Sequence, residues 1–139
     1  MSKSVGGDLL NLGVKQPITA AANLAALTFV NKDGTVPASA AAVTGGVIEV
    51  DTPSGDTADV KMPPGVYKVL ATGVVTDGIE VEILQNTTTV YGNINGVKTL
   101  ITCAGVSTIA SGKVIGRACS SGFAGDAVLV DVYGSQSVA

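Results

Sequence analysis

The chain has 139 residues, the length of about one domain, and 46% of them are hydrophobic, ample material for a core. Only 14% are charged, where about a quarter is usual for a soluble domain, so the chain cannot readily cover its own surface and contact with neighbours is expected. A net charge of −3, with Arg117 the sole arginine and the lysines scattered singly, gives no clustered basic face for nucleic acid and nothing to recruit an anionic membrane.

The absence of histidine excludes Ser-His-Asp and Cys-His catalysis and the common zinc sites, and the reading is of a protein that is not an enzyme and holds no cofactor. Two cysteines, Cys103 and Cys119, form no disulfide framework; they read as two small buried apolar residues, with a single bridge as the alternative. No long apolar run follows Met1-Ser2-Lys3-Ser4-Val5-Gly6-Gly7-Asp8, and Ile18 to Val30 is broken by Thr19, Asn23 and Thr28. Both observations point to a soluble product made inside the cell.

Residues 1–16 carry Gly6, Gly7 and Gly13 without a sustained period and read as an extended N-terminal arm, either a frayed terminus or a segment ordered on a neighbouring subunit through Leu9, Leu10 and Leu12. From Pro17 the main domain is expected to run to residue 133, with a short polar tail over 134–139. Leu24 to Val30 reads as a strand and Asp33-Gly34 as a hairpin turn leading into Thr35-Val36. Pro37 to Ala42 is a link of small residues, and Gly46 to Val50 the next strand.

Thr52-Pro53-Ser54-Gly55-Asp56 has the chemistry of a turn, with proline presetting φ, glycine supplying positive φ and Asp56 able to bond nearby backbone. Ala58, Val60 and Met62 then alternate as a strand, Pro63-Pro64-Gly65 halts it, and Val66 to Ala71 starts another. In the strand from Ile79, the residues Ile79, Val81 and Ile83 are expected on one face, with Glu80 and Glu82 on the other. Leu84 to Gly112 is an enlarged polar segment, read as a hairpin turning at Asn95-Gly96 and as either a partner contact or a solvent-facing tip. Asn86-Thr87-Thr88 fits a glycosylation sequon, of little weight without a secretory signal.

One pattern occurs twice. Gly46 runs through eight residues to Gly55-Asp56 and a strand ending at Val60, and Gly116 runs through eight residues to Gly125-Asp126 and a strand reaching Val132. The fold class is therefore expected to be all-β, a small barrel or sandwich of two pseudo-repeated hairpin units over about 17–62 and 75–133. Asp56 and Asp126 in equivalent turns read as turn caps rather than as an acid/base or metal pair. Asp51, Asp56 and Asp59 lie close enough to hold calcium weakly but lack calcium-loop spacing. Gly105 to Val114 fails as a phosphate loop, because Ser107 and Val114 stand where glycine and a hydroxyl residue are needed.

The run Pro17-Ile18-Thr19-Ala20, Asp33-Gly34-Thr35-Val36, Gly46-Val47 to Gly55-Asp56, Gly65-Val66-Tyr67-Lys68-Val69, Val75-Thr76-Asp77-Gly78 and Val114-Ile115-Gly116-Arg117-Ala118 to Gly125-Asp126 and Val130 resembles the small capsid decoration, or cement, proteins of tailed bacteriophages. The resemblance covers residues 17–133, and the enlarged Leu84 to Gly112 stretch departs from the compact pattern. It implies a homotrimer at three-fold or quasi-three-fold positions on the outer surface of the virion's icosahedral head, clamping neighbouring major capsid protein subunits. A rival expectation is a carbohydrate-binding or host-adhesion module using the Thr/Asn-rich segment and Tyr91, although the chain has no tryptophan and three tyrosines to serve as platforms.

Overall fold

A computed structural model describes residues 15–86, 90–110 and 112–138. Among them the chain forms eleven strands and no helix: β1 Lys15–Thr19, β2 Phe29–Val30, β3 Gly46–Ile48, β4 Thr57–Lys61, β5 Gly65–Leu70, β6 Glu80–Asn86, β7 Tyr91–Ile94, β8 Val97–Leu100, β9 Cys103–Thr108, β10 Lys113–Ala118 and β11 Ala127–Val138. They build a five-stranded sheet in the order β9-β6-β10-β11-β5, a four-stranded sheet in the order β1-β4-β3-β2, and the β7-β8 hairpin. The all-β expectation holds, but no sheet closes into a barrel. Beyond β5, Ala71 reaches the opposite edge strand β9 through a single parallel bridge to Val106.

Alternation of β-branched residues with polar ones selects the buried face of each strand. Tyr67 and Val69 of β5, Val128, Val130 and Val132 of β11, and Val81 and Ile83 of β6 are buried in one cluster with Phe29 and Val47 of the four-stranded sheet, so the two sheets share a core. Burying each such side chain fully contributes about 1.5–3 kcal/mol. A second cluster, with Ile18, Leu24, Val30, Ile48 and Val60, lies within the four-stranded part. Ala25, Ile94, Ile101 and Cys103 form a third beneath the β7-β8 hairpin.

The two Gly-Asp hairpins pair in the same register. Val47 opposes Lys61 and Ile48 opposes Val60; seventy residues later Arg117 opposes Asp131 and Ala118 opposes Val130. The flanking strands keep step as well: β1 runs along β4 from Lys15↔Lys61 to Thr19↔Thr57, and β5 along β11 from Val66↔Asp131 to Leu70↔Ala127. Leu24 bridges Thr52 as Val75 bridges Gly122.

Several expected elements shift. Lys15–Thr19, which straddles the expected boundary between arm and domain at Pro17, is a strand, and it lies at a sheet edge where a proline such as Pro17 can stand. The strand expected from Leu24 is only Phe29–Val30, because Leu27 at φ 64 is left-handed and breaks the extended run. Asn31 to Gly34 does turn, with the Gly34 N–H donated to the Asn31 carbonyl, but Thr35-Val36 is not a strand. Ile79 precedes β6 and is exposed, not buried with Val81 and Ile83. The last strand continues through Val138, so 134–138, expected to be tail, is strand backbone, with Lys113 opposite Val138.

The small-residue link also has a structural task. Ala40 donates its N–H to the Ile83 carbonyl and accepts one from Lys113, filling the gap where β6 and β10 part company beyond Val81↔Gly116.

Candidate functional site

Leu9, Leu10 and Leu12, expected to contact a neighbour, lie outside the described residues. The two turns are described. Gly55 at φ 91 and Gly125 at φ 97 occupy the left-handed region that glycine tolerates, and Asp56 and Asp126 donate their N–H groups to the carbonyls of Pro53 and Phe123. The Asp126 carboxylate also accepts the Phe123 N–H at 2.9 Å, as an aspartate cap should. Pro53 stands in Phe123's place in the first turn and has no N–H, so Asp56 cannot make the same bond.

The three carboxylates weighed for calcium do different work. Asp51 accepts the N–H of Ala26 through Oδ1 and that of Asn93 through Oδ2, each at 2.8 Å. Asp59 is exposed on β4 opposite Pro17, and Asp56 lies in its turn. Among the described residues no group of three acidic, cysteine or histidine side chains is placed to hold a metal ion.

The cysteines part company. Cys103 is buried, and burial pushes its thiol up to about 11, away from reactivity. Cys119, expected to be buried, is exposed, and no disulfide joins the two. It stands on the outer side of β10's end, opposite Leu129, whose carbonyl accepts its N–H. The stretch that imitates a phosphate loop instead runs from the end of β9 to the start of β10, with Gly105 packed so closely that a Cβ would strike the Leu70 carbonyl.

In the enlarged segment the expected turn forms: Asn95 at φ 54 and Gly96 at φ 82 join Ile94 to Val97 as a two-residue loop. The segment is not polar throughout, since β9 brings Cys103, Ala104 and Val106 into the core. On the hairpin's open face Tyr91 opposes Leu100, and the Lys98 ammonium sits 4.6 Å from the Tyr91 ring centroid. A shallow cavity of about 420 Å³ beside it is lined by Asp51, Tyr91, Gly92, Asn93, Gly96 and Lys98.

The most informative surface feature is apolar. Val50, Val66, Val74, Tyr91, Val97, Phe123 and others stand exposed, Phe123 most of all at 70%. Val74 and Phe123 flank a cavity of about 370 Å³, and the cap from Asp126 fixes the backbone that presents the Phe123 ring. Sequence reasoning missed these residues individually, although the low charge content implied that such side chains must exist.

No protein-family model, curated protein or solved structure matches the chain.

Proposed function

We propose that this chain is a structural protein of a tailed-bacteriophage virion: a decoration or cement protein that binds the outside of the icosahedral head as a homotrimer and bridges major capsid protein subunits. The observation that carries the reading is the set of large apolar side chains left in solvent, with Phe123 70%, Val50 64% and Val97 63% exposed, on a chain with only 14% charged residues. Covering such surface contributes about 25 cal/mol per Å². A cement protein stabilises a shell by binding the assembled form, which mass action then favours. The same reading takes the Gly46–Lys61 and Gly116–Asp131 hairpins as copies of one unit, supported by their common register.

Sedimentation of the purified chain with empty tailed-phage heads tests the proposal, with electron microscopy of the pellet. The expected result is saturable co-sedimentation and added density at three-fold or quasi-three-fold positions; heads that pellet undecorated would reject it. Arm deletion should stop at residue 14, because Lys15 already pairs with Lys61. Loss of Leu9, Leu10 and Leu12 is expected to weaken head binding while the domain stays folded.

The exposed Tyr91 beside its shallow cavity favours one second reading, a carbohydrate-binding or adhesion module. Lys98 partly occupies the ring face on which a sugar would stack. Glycan-array binding that is lost in Tyr91→Ala would support this reading, and a blank array would remove it.

A further inference from the structure

The two hairpins, taken as counterparts, differ in character at three corresponding surface positions. On the face of the four-stranded sheet that carries Lys61, the residues Lys15, Glu49 and Asp59 are exposed and charged, and Glu49 bridges Lys15 at 3.2 Å and Lys61 at 2.7 Å. The shared register places Val66 where Lys15 stands, Leu129 where Asp59 stands and Cys119 where Glu49 stands. All three replacements are apolar or nearly so, and all three are exposed, Val66 at 57% and Leu129 at 43%. The first face shows that this backbone accepts charges at these positions. The lack of charge at Val66, Cys119 and Leu129 is therefore not a demand of the fold.

These residues adjoin. Leu129 lies between Lys68 of β5 and Cys119, and one row along Val66 opposes Asp131, which opposes Arg117, which opposes Glu80. Residues two apart on one strand share a face, so Val66 is a diagonal neighbour of Leu129. The charges around this apolar centre are two cations, Lys68 and Arg117, and two anions, Asp131 and Glu80, with the Arg117 and Glu80 side chains 3.8 Å apart. These four charges balance, and a patch that carries both signs can meet an identical patch without net repulsion, Lys68 of one copy reaching Asp131 of the next.

We infer that the outer face of the five-stranded sheet, centred on Val66, Cys119 and Leu129, is where copies of this chain pack on one another around a shared symmetry axis. The inference rests on the part of the proposed function in which the chain assembles with itself and on the correspondence of the two hairpins, not on the capsid.

The test transplants the first face onto the second. Full-length wild type and the triple variant Val66→Lys, Cys119→Glu, Leu129→Asp are compared by sedimentation equilibrium over a wide concentration range. Wild type is expected at a multiple of the 13.7 kDa chain mass, and the variant at the single-chain mass with an unchanged far-ultraviolet circular dichroism spectrum. A wild type that stays single at every concentration, or a folded variant that keeps the wild-type mass, overturns the inference. Should the variant not fold, alkylation of native Cys119 by N-ethylmaleimide decides, with buried Cys103 as the slow internal reference. The Cys119 rate is expected to fall several-fold as concentration rises and copies associate; a constant rate overturns the inference. Wild type that associates through this face yet ignores phage heads would refute the capsid reading alone.

Discussion

Asn93 donates its backbone N–H to the Asp51 carboxylate at 2.8 Å, although the two residues lie on different parts of the chain and different layers of the fold. The other oxygen of the same carboxylate takes the Ala26 N–H. A single side chain thus ties the β7-β8 hairpin to the loop ahead of β2, over the small cluster of Ala25, Ile94, Ile101 and Cys103. A two-stranded hairpin is marginal by itself in water, so this tether and the Ile94 contact together set its position.

Asp51→Ala should therefore loosen the hairpin without unfolding the sheets. Two charge-assisted bonds are lost in a half-exposed setting, for an expected cost of about 2 kcal/mol. Urea denaturation should give that difference, and hydrogen exchange should show faster exchange at Asn93 and Ala26 than at Val81 or Val130. Equal protection at all four amides would show that the carboxylate does not hold the hairpin.

Gly46 and Gly116 occupy corresponding places, and a Cβ on either would strike a backbone carbonyl across the sheet, that of Lys61 or of Asp131. Neither carbonyl can move without breaking its ladder. Gly46→Ala and Gly116→Ala should each cost about 1–3 kcal/mol through overpacking. Gly125→Ala meets no neighbouring atom and bears only the strain of positive φ, about 1 kcal/mol. Denaturant midpoints of the three variants should separate in that order.

Lys61 first, and then Lys15, holds the Glu49 carboxyl below the usual glutamate range. A depressed folded pKa means that the stabilisation is fully present above the unfolded value of about 4.3 and is lost as pH falls through the folded value. The carboxylate is 39% exposed, so solvent screening limits the effect to about 0.5 kcal/mol. Wild type should lose slightly more stability than Glu49→Gln between about pH 5 and pH 3, and the two should run parallel above that window. Parallel curves at every pH would show that the bridge contributes nothing.

How much of this was legible in the residues follows from which interactions are local. The Gly-Asp turns and the Asn95-Gly96 hairpin were readable because each needs a particular φ that few side chains allow. Alternation found Ala58 and Val60 and the Val81-Ile83 face, since burial of one side of a strand leaves a period of two. Leu24 to Val30 misled because its apolar run has no local mark of the break at Leu27, which is set by bonds to Ile48 and Leu70 far along the chain. The enlarged segment looked polar as a whole because its Thr and Asn content masked the buried Cys103 to Val106 strand. Asp51 drew notice only among the carboxylates weighed for calcium, and its tether was not legible because both of its partners lie far along the chain.

The two aspartate turns give a comparison within one molecule. Asp126 accepts the Phe123 N–H at 2.9 Å, whereas Pro53 leaves Asp56 with no such donor, though both turns keep the same backbone bond and the same left-handed glycine. Removing the carboxylate should matter in the second turn only. Asp126→Ala is expected to cost about 1 kcal/mol, the ordinary worth of a side-chain bond to a turn amide, and Asp56→Ala a few tenths at most. The asymmetry should also reach the surface, because the lost bond anchors the backbone that presents Phe123. In Asp126→Ala the amide of Phe123 should exchange faster and its ring resonances should narrow. If the two alanine variants prove equally stable, and the Phe123 amide is unmoved, the cap is incidental and the left-handed glycine with its backbone bond shapes both turns.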